Sequence, residues 1–258
     1  WAKEIYGTGL RQEYTLSGHG STERSTLLAS VNYTSINGIT INSNSKRLTG
    51  RIKADHQLKK WLKIGANVTY AHYSGNFVPS NGSIGDSGNL FSFTQMAPIY
   101  PVYIRDGKGN IIFDPKSGIN SYDYGDGSIN GMQRPLMTNA NPLSSNRLET
   151  NYKQGNAFSA TAFAEVRFLN DFKFTTTNTV NNDDARFNST TNPFFGQYAS
   201  LNGYVSVSHV RTFDYNIQQL LNWSHDYGQH SIDAMLGHEY YRAESYNLSG
   251  ARQNMFAI

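Results

Sequence analysis

Apolar and polar residues alternate with a period of two along much of the chain. The clearest stretch runs from Trp61 to Tyr73, where polar residues separate an apolar series of Leu62, Ile64, Ala66, Val68 and Tyr70. Because successive side chains of a β-strand point to opposite faces, this pattern predicts a strand with one apolar and one polar face. The apolar face then contacts either a protein core or lipid.

The same alternation recurs in seven further segments, which predicts about eight strands in all. These segments lie at about residues 13–17, 26–34, 50–58, 158–168, 172–180, 212–223 and 231–240. A strand of about ten residues is long enough to cross a bilayer when it is tilted. No segment keeps a helical period, so the sequence predicts an all-β chain.

The connections between the predicted strands alternate between short and long. The short ones are GHGSTER, Lys59-Lys60, Asn170-Asp171 and HDYGQ, and the long ones are SINGITINSNSK, about 75–155 and about 181–203. Tight turns at one end of the strands and long loops at the other are typical of an antiparallel transmembrane β-barrel. A soluble β-sandwich has no reason to place every long loop at one end.

The residues of the apolar faces also favour lipid over a packed core. In the segment from Phe158 to Phe168, Ala160, Ala162 and Ala164 lie between aromatic ends, whereas a packed core favours large branched residues. Aromatic ends around aliphatic centres are typical of the girdles at the two lipid–water boundaries. Alternation by itself separates the two folds poorly. The alternative is therefore a secreted or surface β-sandwich or propeller that binds a ligand.

Composition excludes several classes of protein, but it does not decide between a membrane barrel and a soluble β-sandwich or propeller. Aromatic residues make up 13% of the 258 residues and charged residues 16%, there is no cysteine, and the net charge is +3. No run approaches the ~18–20 apolar residues of a membrane-spanning helix. The net charge is too small to indicate a nucleic-acid partner, and the missing cysteines exclude a disulfide framework.

Three stretches, in this order, resemble the SusC/RagA-type TonB-dependent transporters of Bacteroidota outer membranes. They are IYGTGLRQEYTLSGHGSTERSTLLASVNYTSINGI, RLTGRIKADHQLKKWLKIGANVTYAHY and LLNWSHDYGQHSIDAMLGHEYYRAESYNLSGAR. The NPL segment at Asn141 to Leu143 and the FLNDFKF hairpin extend the likeness nearly end to end. No single piece is a strong motif, but the ordered set is specific to that family.

The resemblance implies an antiparallel transmembrane barrel of 22 strands, of which residues 1–258 form a section of about eight. It implies TonB-driven import of glycans or peptides across the bacterial outer membrane, with a SusD-like lipoprotein and an assembly of two SusC–SusD-like pairs. The TonB complex would bind an N-terminal region whose TonB box and plug are not recognisable here. Because the chain begins at Trp1 without a signal peptide, we expect a piece of a longer protein. A complete small barrel acting as an adhesin is a third hypothesis.

The loop at about 75–155 holds the candidate binding residues. Loops of this length are usually functional or disordered, and Phe91, Phe93, Tyr100 and Tyr103 give it an aromatic surface for a ligand or partner. The alternative interpretation is that these rings form the loop's own small core. The sequence YPVYIRDGKGNIIFDP also predicts a hairpin around Asp106-Gly107, flanked by Tyr103 and Phe113. The resemblance places this loop on the outer face, next to the lid lipoprotein and the plug.

The sequence indicates no catalytic or metal site, so we predict neither an enzyme nor a cofactor. Asp123 and Asp126 in SYDYGDGS, and the run at 182–184, offer carboxylates but lack the ligand spacing of a calcium loop. Polar turns are the preferred interpretation of both. His56 and His72 lie in or beside predicted strands, which makes them residues of the wall. No nucleophile motif or phosphate-binding loop is present.

Overall fold

One antiparallel sheet of eight long strands dominates the structure, a computed structural model that describes residues 1–77, 90–127, 133–194 and 199–255. The strands of this sheet are β1 (Leu10–Ser21), β2 (Ser25–Asn37), β3 (Asn44–Lys59), β4 (Leu62–Asn76), β7 (Thr150–Phe168), β8 (Phe172–Thr191), β9 (Tyr204–Tyr227) and β10 (His230–Gln253). Each pairs with the next in this order. The prediction of an all-β chain with about eight main strands is confirmed.

Smaller elements lie outside this sheet. A second, two-stranded sheet pairs β5 (Phe113–Asp114) with β6 (Ile119–Asn120). The helices are α1 (Ala2–Ile5), α2 (Pro142–Leu148) and 3-10 turns at Leu90–Gln95 and Ala199–Leu201. None of the helices in the described ranges is long and apolar enough to cross a membrane.

The pairing register places the apolar residues of neighbouring strands on one face. Directly opposed residues of a sheet point to the same side. The row through Val68 of β4 contains Ala29, Ile52, Ala160 and Val180. The row two residues along contains Leu27, Ala54, Ala66 and Ala162. The alternation read in separate segments therefore forms one continuous apolar face.

The apolar face is exposed along the described sheet. Leu16 is 79% exposed, Ile52 58% and Leu236 72%. No second layer of described residues packs on these side chains, because the long strands contact one another only within the sheet. This arrangement contradicts the sandwich alternative, in which a facing sheet would cover the apolar side chains.

Aromatic side chains border the apolar face at two levels. Near the turns, Phe168 and Phe172 stack with ring centroids 5.4 Å apart. Farther along the strands, Tyr215 and Tyr240 lie 5.8 Å apart. On β9, the aliphatic residues Ile217 and Leu221 lie between Tyr215 and Trp223, the residue that pairs with Phe172. This is the girdle arrangement of a transmembrane barrel wall.

The strands are tilted, as barrel closure requires. The hydrogen-bonded row of Val68 meets β1 at Gly18, near the turn that follows Ser21, and meets β10 at Arg242, midway along that strand. Relative to the turns, the row therefore climbs across the sheet. As a result, Arg242 and Glu244 share the apolar face but lie farther toward the loop end than Val68.

The strands are longer than predicted. Lengths run from 12 residues in β1 to 24 in β9 and β10, rather than about ten. The prediction of a link at about 181–203 was wrong in its first half, because β8 continues to Thr191. In NNDDARFNST, polar residues occupy both faces, so the two-residue period disappears although the strand continues. The missed residues extend the strands at the loop end.

At the loop end, three separate segments pack into one body, here called the loop-end unit: residues 1–6, 38–43 and the described part of 90–149. Its core consists of the fully buried Ile5 and Leu143, against which Trp1, Ile41, Phe93 and Val102 pack. The Ile41 amide donates to the Ile5 carbonyl at 3.0 Å. Asn42 Nδ2 donates to the Asn146 carbonyl at 2.8 Å. The β2–β3 connection thereby joins the chain's start to the long β4–β7 connection.

The NPL segment begins helix α2. The Asn141 side chain accepts the Ser144 amide at 3.0 Å, which caps the first turn, and Pro142 occupies the first helical position. Asn141 Nδ2 also donates to the carbonyls of Val102 and Asp123 at 3.0 and 2.9 Å. One buried amide therefore both starts the helix and ties it to the rest of the unit.

Candidate functional site

The face opposite Val68 carries mainly polar side chains and is here called the polar wall. Arg51 Nε donates to Asn67 Oδ1 at 2.9 Å, and Lys63 Nζ lies 3.1 Å from Asp55 Oδ2. Asp55 also accepts the Thr26 hydroxyl. These contacts join neighbouring strands across β2, β3 and β4, so the wall presents paired charges and amides in fixed positions.

The polar wall continues through the last four strands. Asn181 Nδ2 donates to Asp214 Oδ2 at 2.8 Å. Asn216 and Gln218 donate to the same oxygen of Glu239 at 2.6 and 3.0 Å. These hydrogen bonds hold the polar side chains of the wall in defined positions. The wall is therefore both hydrophilic and ordered. Such a surface suits an aqueous passage rather than a dry core.

Toward the loop end, the polar wall carries an aromatic and cationic cluster. The Tyr73 hydroxyl donates to Asp183 Oδ1 at 2.8 Å. Lys153 Nζ lies 5.2 Å from the Tyr73 ring centroid and 5.0 Å from that of Phe187. Both distances are within the range of cation–π attraction. Gly155 gives the Tyr73 ring room, since a Cβ atom there would lie 2.5 Å from the Tyr73 hydroxyl oxygen.

The structure places two of the predicted aromatic residues inside the loop-end unit. Phe93 packs on the Ile5–Leu143 core and meets the Tyr6 ring edge-on, with centroids 5.6 Å apart. The Tyr100 ring lies under the Arg134 guanidinium at 4.9 Å. The Tyr100 carbonyl accepts Trp1 Nε1 at 3.0 Å. The side chain of Phe91 lies outside the described residues.

Tyr103 occupies a third position in the unit. Its ring lies 4.9 Å from that of Tyr122, and its hydroxyl accepts Arg147 Nη1 at 2.6 Å. Arg147 also pairs with Glu4 at 3.0 Å, which links α2 to α1. The three described aromatic residues therefore hold separate elements of the unit together. They do not converge on one surface.

The predicted hairpin around Asp106-Gly107 is present, but its flanking residues pair differently. Arg105 and Ile111 bridge across it, and Asp106 accepts the Lys108 and Asn110 amides at 2.8 Å each. Tyr103 and Phe113 flank the hairpin, as predicted, but they do not pair with each other: Tyr103 bridges to Tyr122, and Phe113 pairs with Asn120. The reason is a third segment, 119–123, which pairs beside the hairpin.

Arg134 is the most buried charged group of the unit. Its side chain is 5% exposed and lies 2.9 Å from Asp123 Oδ1. It also donates to the carbonyls of Ala140 and Asp123 at 3.1 and 2.8 Å. Burial lowers the pKa of Arg134, and the neighbouring Asp123 carboxylate opposes this shift. Nearby, burial raises the pKa of Tyr124, whose hydroxyl donates to Ser144 Oγ at 2.6 Å.

The carboxylates weighed as calcium ligands have other partners. Asp123 pairs with Arg134 and accepts the Gly125 amide at 2.7 Å. Asp183 and Asp184 are consecutive in β8 and point to opposite faces; they contact Tyr73 and His209. Within the described ranges, no group of three potential ligands gathers at a metal-binding distance. His56 and His72 lie in β3 and β4, as predicted for wall residues.

Sequence reasoning missed the apolar residues that the unit exposes. Ile99 is 84% exposed and Leu136 72%. They lie within two residues of Tyr100 and Arg134, the pair that forms the cation–π contact, so they flank it. Their position in MAPIYP and QRPL, among prolines and without periodicity, gives no signal of exposure. Ile99 and Leu136 are thus two exposed large apolar side chains in the part of the unit that holds the Tyr100–Arg134 contact.

The similarity to known proteins agrees with this architecture. No protein-family model matches the chain. A TonB-dependent receptor, P3, of Formosa agariphila is 23% identical over 259 residues, covering 98% of this chain and 24% of the receptor. Two structures of the RagAB peptide importer, in the closed-closed and open-open states, superpose with TM-scores of 0.74 and 0.73 at 17% identity. Both cover the whole of this chain and 27% of the matched chain.

The chain spans about a quarter of the length of the proteins it matches. The structural likeness extends over every strand of the sheet, and the apolar face, the tilt and the polar wall are those of one side of a large barrel. Together with the ordered sequence stretches, these similarities support a section of the barrel of a SusC/RagA-type TonB-dependent transporter.

Proposed function

We propose that the chain is part of the wall of an outer-membrane importer for bulky nutrients, driven by the TonB complex. The observation that carries the proposal is the division of one eight-stranded sheet into an exposed apolar face and a hydrogen-bonded polar wall. Lipid contacts the first face and water the second. The proteins it resembles are a receptor and importers, which supports transport rather than catalysis.

The loop-end unit lies on the cell exterior in this proposal. Short turns join the strands at the opposite end, and short turns are periplasmic in outer-membrane barrels. The long β4–β7 connection then rises above the membrane as a folded body rather than a free loop. Its internal core, the Arg134–Asp123 pair and the capped helix α2 give it a fixed shape. A fixed shape suits docking of a partner.

The partner proposed for this body is a SusD-like lipoprotein lid. Ile99 and Leu136 are exposed apolar side chains that would contact it, and the rings of Phe93, Tyr100 and Tyr103, which hold elements of the unit together, would fix its shape. The alternative assignment of Phe91, Phe93, Tyr100 and Tyr103 as direct ligand contacts requires ring faces that are open to a ligand. Two of the three described rings contact charged side chains of the unit.

The cargo is a glycan or a peptide. The polar wall offers amides and paired charges that hydrogen-bond either class. The Tyr73–Lys153–Phe187 cluster provides flat aromatic and cationic surfaces at the loop end of the passage. The resemblance to a peptide importer supports a peptide, through the fold alone. An assembly of two transporter–lid pairs, and TonB binding by a separate N-terminal region, complete the proposal.

Uptake by the native organism tests the function. Deleting the gene should abolish growth on the cargo, supplied as the sole source of carbon or nitrogen from a panel of glycans and peptides. Complementation with an Ile99→Ser/Leu136→Ser variant should restore the protein to the outer membrane but leave the lid uncoupled. Phe113→Ser, another exposed position of the unit, is the matched control. Unchanged growth of the deletion strain on every cargo would contradict an importer.

A further inference from the structure

A cleft with basic and amide side chains opens on the outward face, just beyond the apolar band. It encloses about 470 Å³ and is lined by His72, Gln154, Asn156, Asp184, Arg186 and His209. Each of these residues shares the face of Val68, as the pairing register shows. They cannot face the aqueous passage, because that passage lies on the other side of the sheet.

The cationic groups of the cleft are available to a ligand. Arg186 is exposed and has no hydrogen-bond or ion-pair partner among the residues that the structure describes. Among the described residues, Arg211 in the neighbouring row makes one hydrogen bond, from Nε to Asn182 Oδ1 at 3.1 Å. The one carboxylate of the cleft, on Asp184, lies 2.7 Å from His209 Nε2. The Asp184 carboxylate therefore contacts the His209 ring rather than standing unpaired in the open cleft.

The depth of the cleft matches a lipid headgroup. On β4 and β7, Tyr70 and Phe158 form the row directly below His72 and Asn156, and Val68 and Ala160 lie below those. The order along the strands is thus aliphatic, aromatic, then basic and amide. Headgroup phosphates lie just outside the aromatic level of a bilayer. Planar guanidinium groups bind phosphate with paired hydrogen bonds.

From this order we infer that the cleft binds the phosphorylated headgroup of an outer-leaflet glycolipid. Arg186 and Arg211 contact the phosphate, while His72, Gln154 and Asn156 hydrogen-bond sugar hydroxyls. The acyl chains lie on the apolar face below, over Val68 and Ala160. The inference rests on the proposed orientation, with the loop end outside the cell.

Native mass spectrometry of the intact protein in detergent tests this site with lipid A and enzymatically dephosphorylated lipid A as probes. The wild-type protein should bind lipid A about tenfold more tightly than the dephosphorylated form, since two arginines contribute. Arg186→Gln/Arg211→Gln should remove that preference. Arg47→Gln is the matched control, because Arg47 lies at a similar height on the polar wall. It should keep the full preference.

Several outcomes would overturn the site. Equal binding of both probes by the wild-type protein would do so, as would an unchanged preference in the double variant. Full displacement of lipid A by inorganic phosphate would assign the cleft to free phosphate instead. Should the double variant misfold, Arg186→Gln alone replaces it, since Arg186 loses no partner among the residues that the structure describes. Absence of the wild-type protein from the outer membrane would instead contradict the proposed function.

Discussion

Arg134 and Asp123 form an ion pair of 2.9 Å in the interior of the loop-end unit, with the arginine side chain only 5% exposed. The same guanidinium donates to two backbone carbonyls and covers the Tyr100 ring. Residues 100, 123 and 140 of a connection with little regular secondary structure thus meet at one cation. The shape of the loop-end unit depends on this contact.

Replacing Arg134 with Ala should loosen the loop-end unit while leaving the barrel strands intact. Removing one partner of a buried, hydrogen-bonded charge pair costs about 3–5 kcal/mol, because the other charge stays buried. Hydrogen exchange measured by mass spectrometry should show faster exchange of amides at 100–127 and 133–144. Lys108→Ala, an exposed position of the same unit, is the control. Unchanged exchange in Arg134→Ala would show that the pair does not hold the unit.

Replacing Val68 with Arg should destabilise the folded barrel by about 2–4 kcal/mol, the cost of a basic side chain at the lipid midplane. Ser159→Arg is the matched control, because Ser159 lies at a similar depth on the polar wall, opposite Thr69. Denaturant unfolding in lipid vesicles measures the free energy of unfolding of both variants. Equal costs for the two variants would mean that the two faces do not meet different solvents.

Replacing Gly155 with Ala should destabilise the wall by about 1–3 kcal/mol through overpacking. The new Cβ atom would meet the Tyr73 hydroxyl oxygen at 2.5 Å and the Asp184 carbonyl oxygen at 2.7 Å. Gly50→Ala makes a good comparison, since a Cβ atom there meets nothing within 4 Å. The temperature at which each variant loses its compact migration on a gel reports stability. A Gly155 variant as stable as the Gly50 variant would refute the close contact.

The turn at Asp106 should open in acid. Hydrogen bonds from the Asn110 side chain and amide lower the pKa of Asp106. A lowered pKa in the folded state means that the stabilisation is complete above the ordinary aspartate pKa of about 3.9 and is lost as the pH falls through the lowered value. Carboxyl ¹³C shifts followed between neutral pH and pH 2 give the pKa directly. A value at or above the ordinary one would contradict the hydrogen bonds.

The same turn is testable at neutral pH. Asp106→Ala removes the acceptor of the Lys108 and Asn110 amides, so trypsin should cleave after Lys108 faster than in the wild-type protein. Asp106→Asn keeps an acceptor oxygen and should be cleaved at an intermediate rate. Equal rates for all three proteins would mean that the side chain does not close the turn.

The period-two pattern predicted the faces of the sheet because, around Val68, apolar side chains occupy one face and polar side chains the other. It failed at the loop end of β8, where Asp183 and Asp184 face opposite sides and both are polar. The pattern also gave no prediction of the packing within the loop-end unit. The contacts of Arg134 with Asp123 and of Trp1 with Tyr100 join residues far apart in the sequence, and no local periodicity encodes them.

For the same reason, the sequence alone could not show whether Phe93, Tyr100 and Tyr103 contact a ligand or hold the loop-end unit together. Their aromatic character was evident in the sequence, but their neighbours were not. Phe93 packs on residues from the start of the chain and from α2, and Tyr103 on Tyr122 and Arg147. Their proposed role as support for a partner-binding patch therefore follows from tertiary contacts.

The contact between the apolar face and lipid is tested most directly by a nitroxide spin label on the intact protein in lipid vesicles. The chain contains no cysteine, so Val68→Cys and Ser159→Cys each provide a single labelling position in this section. At position 68 we expect frequent collisions with oxygen and few with a water-soluble nickel complex; at position 159 we expect the reverse. Low collision rates with both reagents at position 68 would show a packed protein core there and contradict the account.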